Sequence, residues 1–185
     1  MRVLSGPLIT SLFVTTLAAT TTPAAAEEPG LGIVHQFRIG ALMHDPAIWS
    51  KRSKEDGVDL NLDAVFDYEM LDVLGGTIRP YAGVSLSLQG DTSRAHAGLV
   101  WQYMAGPVYF DLGLGAAIHN GKLDHPGHDR KALGSRVLFH VPVELGFTLD
   151  EHNRVGVYFE HSSNANLAEP NTGIDAIGLR YTYQF

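Results

Sequence analysis

Cysteine is absent from all 185 residues, which argues against a small extracellular domain stapled by disulfides. A spanning helix is missing too. The most apolar stretch near the N terminus, Leu8 to Ala19, is interrupted by Ser and Thr and falls short of the roughly 20 mainly apolar residues such a helix needs. Basic residues are scarce: 13 Lys and Arg face 20 Asp and Glu, a formal charge of −7. Without a basic stripe to neutralise phosphates, nucleic acid is excluded as a partner. Neither an internal repeat nor a composition shift marks a linker, so one domain is expected.

What is present begins with an export signal. Arg2 supplies the positive start, Leu8 to Ala19 the apolar centre and Ala24-Ala25-Ala26 the small residues before a cleavage site. Residues 1–26 are therefore predicted to be removed, leaving 27–185 as the folded domain. Arg2 leaves with the leader, so the formal charge becomes −8.

The dominant pattern after the leader is period-two alternation in segments of about ten residues, the signature of a transmembrane barrel strand. Val58, Leu60, Leu62, Ala64, Phe66 and Tyr68 alternate with a face bearing Asp59, Asp63 and Asp67. Only a wet lumen or open solvent tolerates three carboxylates there. Ala95 to Tyr103 and Val108 to His119 alternate in the same way, the latter with Gly113 and Gly115 on its inner face. Val137 to Phe147 is set against Arg136, His140, Glu144 and Thr148. Ile177, Leu179, Tyr181, Tyr183 and Phe185 form the final outward row. With less regular strands near Ile33–His44 and Ile78–Leu88, the count predicts an all-β, eight-stranded antiparallel up-and-down transmembrane β-barrel. The longer connections, Asp45 to Gly57, Gln89 to Arg94, Asn120 to Ala132 and Asn164 to Ile174, would be extracellular. Glu69 to Thr77 is longer than a periplasmic turn should be.

The seventh predicted strand carries the chemistry. Its outward phase of Val155, Val157 and Phe159 runs on into His161 and Ser163, and Asp175 shares the outward parity of Ile177 and Leu179. Residues two apart on a strand are separated by about 6.6 Å and an opposed neighbour by about 5 Å, so an imidazole can bridge a hydroxyl and a carboxylate. Such a bridge turns a weak nucleophile into an active one. An oxyanion would also need donors; Asn164 and nearby backbone N–H groups are the candidates. The competing reading is a non-catalytic structural or adhesin barrel, whose polar residues sit at headgroup depth where a charge costs only about 0–1 kcal/mol. A soluble ligand-binding barrel would need an apolar interior. In the 120–132 connection, Asp124, His125, His128 and Asp129 are loop residues first and metal ligands second.

The run His161-Ser162-Ser163-Asn164-Ala165-Asn166, followed by Pro170-Asn171-Thr172-Gly173-Ile174-Asp175, resembles the PagL family of outer-membrane lipid A 3-O-deacylases. Arg79-Pro80-Tyr81, Gly90-Asp91-Thr92-Ser93 and Ala97-Gly98-Leu99-Val100-Trp101 are similar to that family as well. The resemblance implies hydrolysis of the ester-linked acyl chain at position 3 of lipid A, with neither metal nor cofactor, in the bacterial outer membrane. The partner would be lipopolysaccharide of the outer leaflet, and a homodimer stands as one open assembly. On matching positions His161 is the base, Ser163 the nucleophile, Asn164 a residue linked to the oxyanion and Asn171 a supporting one. The family's acid is usually glutamate, whereas this chain has Asp175, which shortens the reach by about 1.5 Å. Glu169 is the alternative acid, and Glu160 has inward parity.

Overall fold

The computed structural model describes residues 32–124 and 128–185. The predicted leader over 1–26 and His125 lie outside the described residues. The strands are β1 (Val34–His44), β2 (Val58–Phe66), β3 (Leu71–Val73), β4 (Gly76–Ser87), β5 (Arg94–Ala105), β6 (Val108–His119), β7 (Val137–Thr148), β8 (Asn153–Ser163) and β9 (Ile174–Gln184).

Eight of these form the barrel wall. Sequential antiparallel pairing runs from β4 through β9, β1 pairs with both β9 and β2, and β2 pairs with β4 to close the cylinder. Short β3 is the exception. It folds back on the start of β4, with Leu71 opposite Ile78, which explains why the connection predicted as an overlong turn exists. The strand predicted to reach Tyr68 stops at Phe66, and Tyr68 is exposed.

Alternation sorts the side chains as the sequence pattern requires. Leu112, Leu114, Leu145, Phe147, Val157 and Leu179 point outward and are largely exposed. A band of that size would be an aggregation surface in water and is the expected coat of a barrel in lipid. The interior is polar and densely paired, unlike that of a soluble barrel. Arg38 meets Asp111 at 2.6 Å, Arg94 meets Asp59 at 3.0 Å and Glu160 at 2.7 Å, and Arg180 meets Asp63 at 2.7 Å. Arg180 also pairs with Glu144, which accepts from the Tyr109 hydroxyl. Removing such charges from water is costly, so each must be paired and hydrogen-bonded. Arg136, assigned by parity to that interior, lies just before β7. It is exposed and donates to the carbonyls of His119 and Gly121.

At one end the connections β1–β2, β4–β5, β6–β7 and β8–β9 interlock. Buried Glu55 accepts from the Thr92 and Lys131 backbone N–H groups, both at 3.0 Å, and also meets His44. Burial pushes this carboxyl up, but those donors outweigh burial and hold it at about 2. Thr172 joins the same cap through the carbonyl of Ala132. The opposite end has tight turns, including one at Gly106, whose φ is +61°.

Candidate active site

The β8–β9 register puts His161 directly opposite Asp175, and β8 alternation gives Ser163 the same outward face as His161. The imidazole bridges the other two groups. Its Nδ1 lies 2.7 Å from Asp175 Oδ1 and its Nε2 lies 3.0 Å from Ser163 Oγ. The tautomer that satisfies both contacts has Nδ1–H donating to the carboxylate and Nε2 accepting from the serine hydroxyl. Asp175 is fully buried, His161 nearly so, and Ser163 is partly open. The three sequence candidates are thus brought together.

The alternative acids are not. Glu169 is exposed in the β8–β9 connection, and Glu160 points into the barrel, bonded to Arg94 and Tyr158. Direct opposition across the hairpin lets the short aspartate reach the ring.

Further groups around the site escape the strand pattern. Asp175 Oδ2 accepts from the backbone N–H groups of Trp49 at 2.7 Å and Ser50 at 2.8 Å. The Trp49 indole stacks on His161, with centroids 4.5 Å apart and planes inclined by 22°. Both belong to the β1–β2 connection, which Asp45 organises. Its carboxylate accepts from Lys54 N at 3.0 Å and pairs at 2.5 Å with buried Lys131, which also donates to Ser50 Oγ. An irregular loop has no periodicity to read, and only the occurrence of a tryptophan in the connection hints at a role.

Asn164 is placed differently from its expected role. Its amide nitrogen donates to the carbonyls of Leu133 and Ala168, both at 2.9 Å. With those hydrogens engaged, the side chain holds the connection instead of facing a reacting oxygen. Asn171 is a brace of the same kind: it accepts from Asn164 N at 3.2 Å and donates to Asn166 at 3.1 Å. Between them Ala165 and Asn166 have positive φ of 52° and 63°, turning the backbone beside Ser163. A cleft of roughly 600 Å³ opens there, apolar at Leu114, Phe139 and Val141 and polar at Lys51, Asn166 and Thr172.

Asp124, His128 and Asp129 do not converge with one another among the described residues. The group of potential metal ligands that does converge is His96, His140 and Glu160, inside the barrel.

A family model described as lipid A 3-O-deacylase (PagL) matches residues 58–184, the span from β2 to β9. The chain belongs to the PagL family. A lipid A deacylase PagL from Bordetella bronchiseptica is 38% identical over 104 residues, covering 51% of this chain and 56% of that relative. The chain therefore spans little more than half the length of the curated relative it matches. The crystal structure of the outer membrane enzyme PagL superposes with a TM-score of 0.58 at 20% identity, over 80% of this chain and 99% of that one. Neisserial surface protein A gives 0.52 at 9% identity, over 81% and 97%. These likenesses define the barrel fold, and the PagL assignment rests on the sequence-family match. A PagL barrel is an outer-membrane structure, in keeping with the apolar coat and charged interior.

Proposed function

We propose that the chain is a lipid A 3-O-deacylase acting through Ser163, His161 and Asp175 on the lipid-facing side of the barrel. The observation that carries this reading is the His161 ring, held between Ser163 Oγ at 3.0 Å and Asp175 Oδ1 at 2.7 Å beneath an otherwise apolar outer face. Membership of the PagL family supplies the substrate class.

Lipid A lies in the outer leaflet with its ester linkages near the headgroup boundary, so an outward site meets it by lateral diffusion. The acyl chain runs down past Val141 and Phe139, while the phosphorylated sugar faces the cap, where Lys51 is an exposed cation. Ser163 Oγ attacks the ester carbonyl as its proton passes to His161 Nε2. Asp175 keeps Nδ1 protonated and stabilises the imidazolium. The backbone N–H groups at the positive-φ turn of Ala165 and Asn166 are the donors for the developing oxyanion. Collapse breaks the bond to the sugar oxygen, which leaves with the proton from Nε2, and the acyl group stays on Ser163. Water, deprotonated by the same nitrogen, then attacks the acyl carbonyl and releases the fatty acid.

The test is to incubate refolded protein with lipopolysaccharide and weigh the lipid A. Loss of one 3-hydroxyacyl group, abolished by Ser163→Ala, is the expected result. Unchanged lipid A from a correctly folded barrel rejects the reading in favour of a non-catalytic outer-membrane barrel.

A further inference from the structure

The Trp49 side chain is 61% exposed, so burial does not explain where it sits. Its indole nonetheless lies flat on the His161 imidazole, with centroids 4.5 Å apart and planes inclined by 22°. An indole at headgroup depth commonly serves as an interfacial anchor, but an anchor has no need to lie on the one ring that gains charge during hydrolysis. The edges of that ring are already taken. Nδ1 meets Asp175 at 2.7 Å, Nε2 meets Ser163 at 3.0 Å, and Cε1 faces Gly173, where an added Cβ would come within 3.0 Å. Only the faces are left, and Trp49 covers one of them. Its backbone N–H also donates to Asp175 Oδ2 at 2.7 Å, so one loop residue touches the acid through its main chain and the base through its side chain.

A neutral imidazole gains mainly dispersion from a stacked neighbour. Once the ring takes the Ser163 proton it carries a full positive charge, and the negative π face of an indole attracts a cation within about 6 Å of its centroid. That attraction strengthens where water is excluded, as beside the apolar lining of Leu114, Phe139 and Val141. An interaction that is weak before proton transfer and strong during it lowers the barrier instead of merely holding the ground state.

We propose that the Trp49 indole is the electrostatic partner of His161, stabilising through its π face the imidazolium that forms as Ser163 attacks. Trp49 is then a positioning residue that acts on the reaction through the base. The same imidazolium forms again when water attacks the acyl group on Ser163, so both halves of the reaction gain. This inference rests on the triad assigned above and not on lipid A being its substrate.

The experiment places tryptophan bearing one, two or three ring fluorines at position 49 of the full-length chain, refolded in detergent. Fluorine withdraws electron density from the π face while barely altering the shape of the indole. Two rates are read. One is release of the 3-hydroxyacyl chain from lipopolysaccharide; the other is labelling of Ser163 by an alkyl fluorophosphonate, in which Oγ bonds to phosphorus, fluoride leaves and the serine proton passes to His161. Both rates should fall stepwise with the number of fluorines, with KM for lipopolysaccharide unchanged. Trp49→Leu, which keeps apolar bulk without a ring, should lose about 2- to 30-fold in both rates, and Trp49→Phe should lose less. The same fluorines at Trp101, whose indole donates to the Val73 carbonyl at the opposite end of the barrel, should change neither rate. Flat rates across the Trp49 series would mean that the indole only anchors the loop, and would overturn the proposal. A folded wild type whose Ser163 resists the fluorophosphonate would overturn it as well. Labelling that slows with fluorination while lipid A stays intact would reject the deacylase reading alone and uphold the role of the indole. Should Trp49→Leu fail to fold, the fluorinated chains still decide.

Discussion

The backbone N–H of Trp49 donates to Asp175 Oδ2 at 2.7 Å, although the two residues are 126 positions apart. Asp175 Oδ1 is left for His161, so the β1–β2 connection is part of the device that aims the carboxylate at the ring. Replacing Ser50 by proline removes the second loop donor to the same oxygen. A hydrogen bond to a charged group is worth about 1.5–3 kcal/mol, so kcat on lipopolysaccharide should fall by about 10- to 100-fold. Ser50→Ala keeps that N–H and should retain much more activity. Equal rates for the two variants would mean that the backbone donor does nothing for the reaction.

The acid can be identified by substitution. Asp175→Asn keeps the shape but offers the ring an amide, favouring the wrong imidazole tautomer, and should lower kcat by about 10⁴. Glu169→Ala removes an exposed loop carboxylate and should leave kcat within a few-fold of wild type. Reversal of that order would reassign the role to Glu169.

Glu55 makes the cap sensitive to acid. Its carboxyl is held at about 2 in the folded protein against an ordinary 4.5, because the donors from His44, Lys131 and Thr92 outweigh burial. A depressed folded value gives stability that is complete above the unfolded value and lost as pH falls through the folded one. The contribution should therefore be intact above about pH 4.5 and disappear towards pH 2. Fluorescence of Trp49, which this connection carries, should report the loss. In Glu55→Gln the transition over that window should shrink or vanish; an unaltered titration would show that other carboxylates govern the cap.

The sequence was most legible where one physical constraint acts on every second residue. Lipid outside and water or ion pairs inside impose the alternation that exposes Leu145 and buries Glu144, and the same parity put His161, Ser163 and Asp175 on one face. It separated Ser163 from Ser162, which turns inward to His140. Parity is silent beyond strand ends. Arg136, one residue before β7, left the face assigned to it, and the contribution of Trp49 and Ser50 depends on a folded-over loop whose contacts are distant in sequence. Asn164 shows another limit: the sequence put an amide beside the nucleophile, but which carbonyls would engage it depended on how the β6–β7 and β8–β9 connections met.

Gly173 offers a test of how tightly the base is confined. Its φ is +63°, and a Cβ added there would lie 3.0 Å from His161 Cε1. Gly106 is the natural comparison, because its φ is +61° and nothing lies within 4 Å of an added Cβ. Alanine at either position incurs a similar backbone cost of about 1–2 kcal/mol, so both variants should lose comparable stability against heat or denaturant. Only Gly173→Ala also presses on the imidazole. Because a misplacement of about 1 Å can cost 10²-fold in rate, kcat should fall at least about 10-fold in Gly173→Ala and little in Gly106→Ala, once both are measured as folded barrel. Matched rates would mean that His161 can yield to the methyl group without losing its alignment with Ser163.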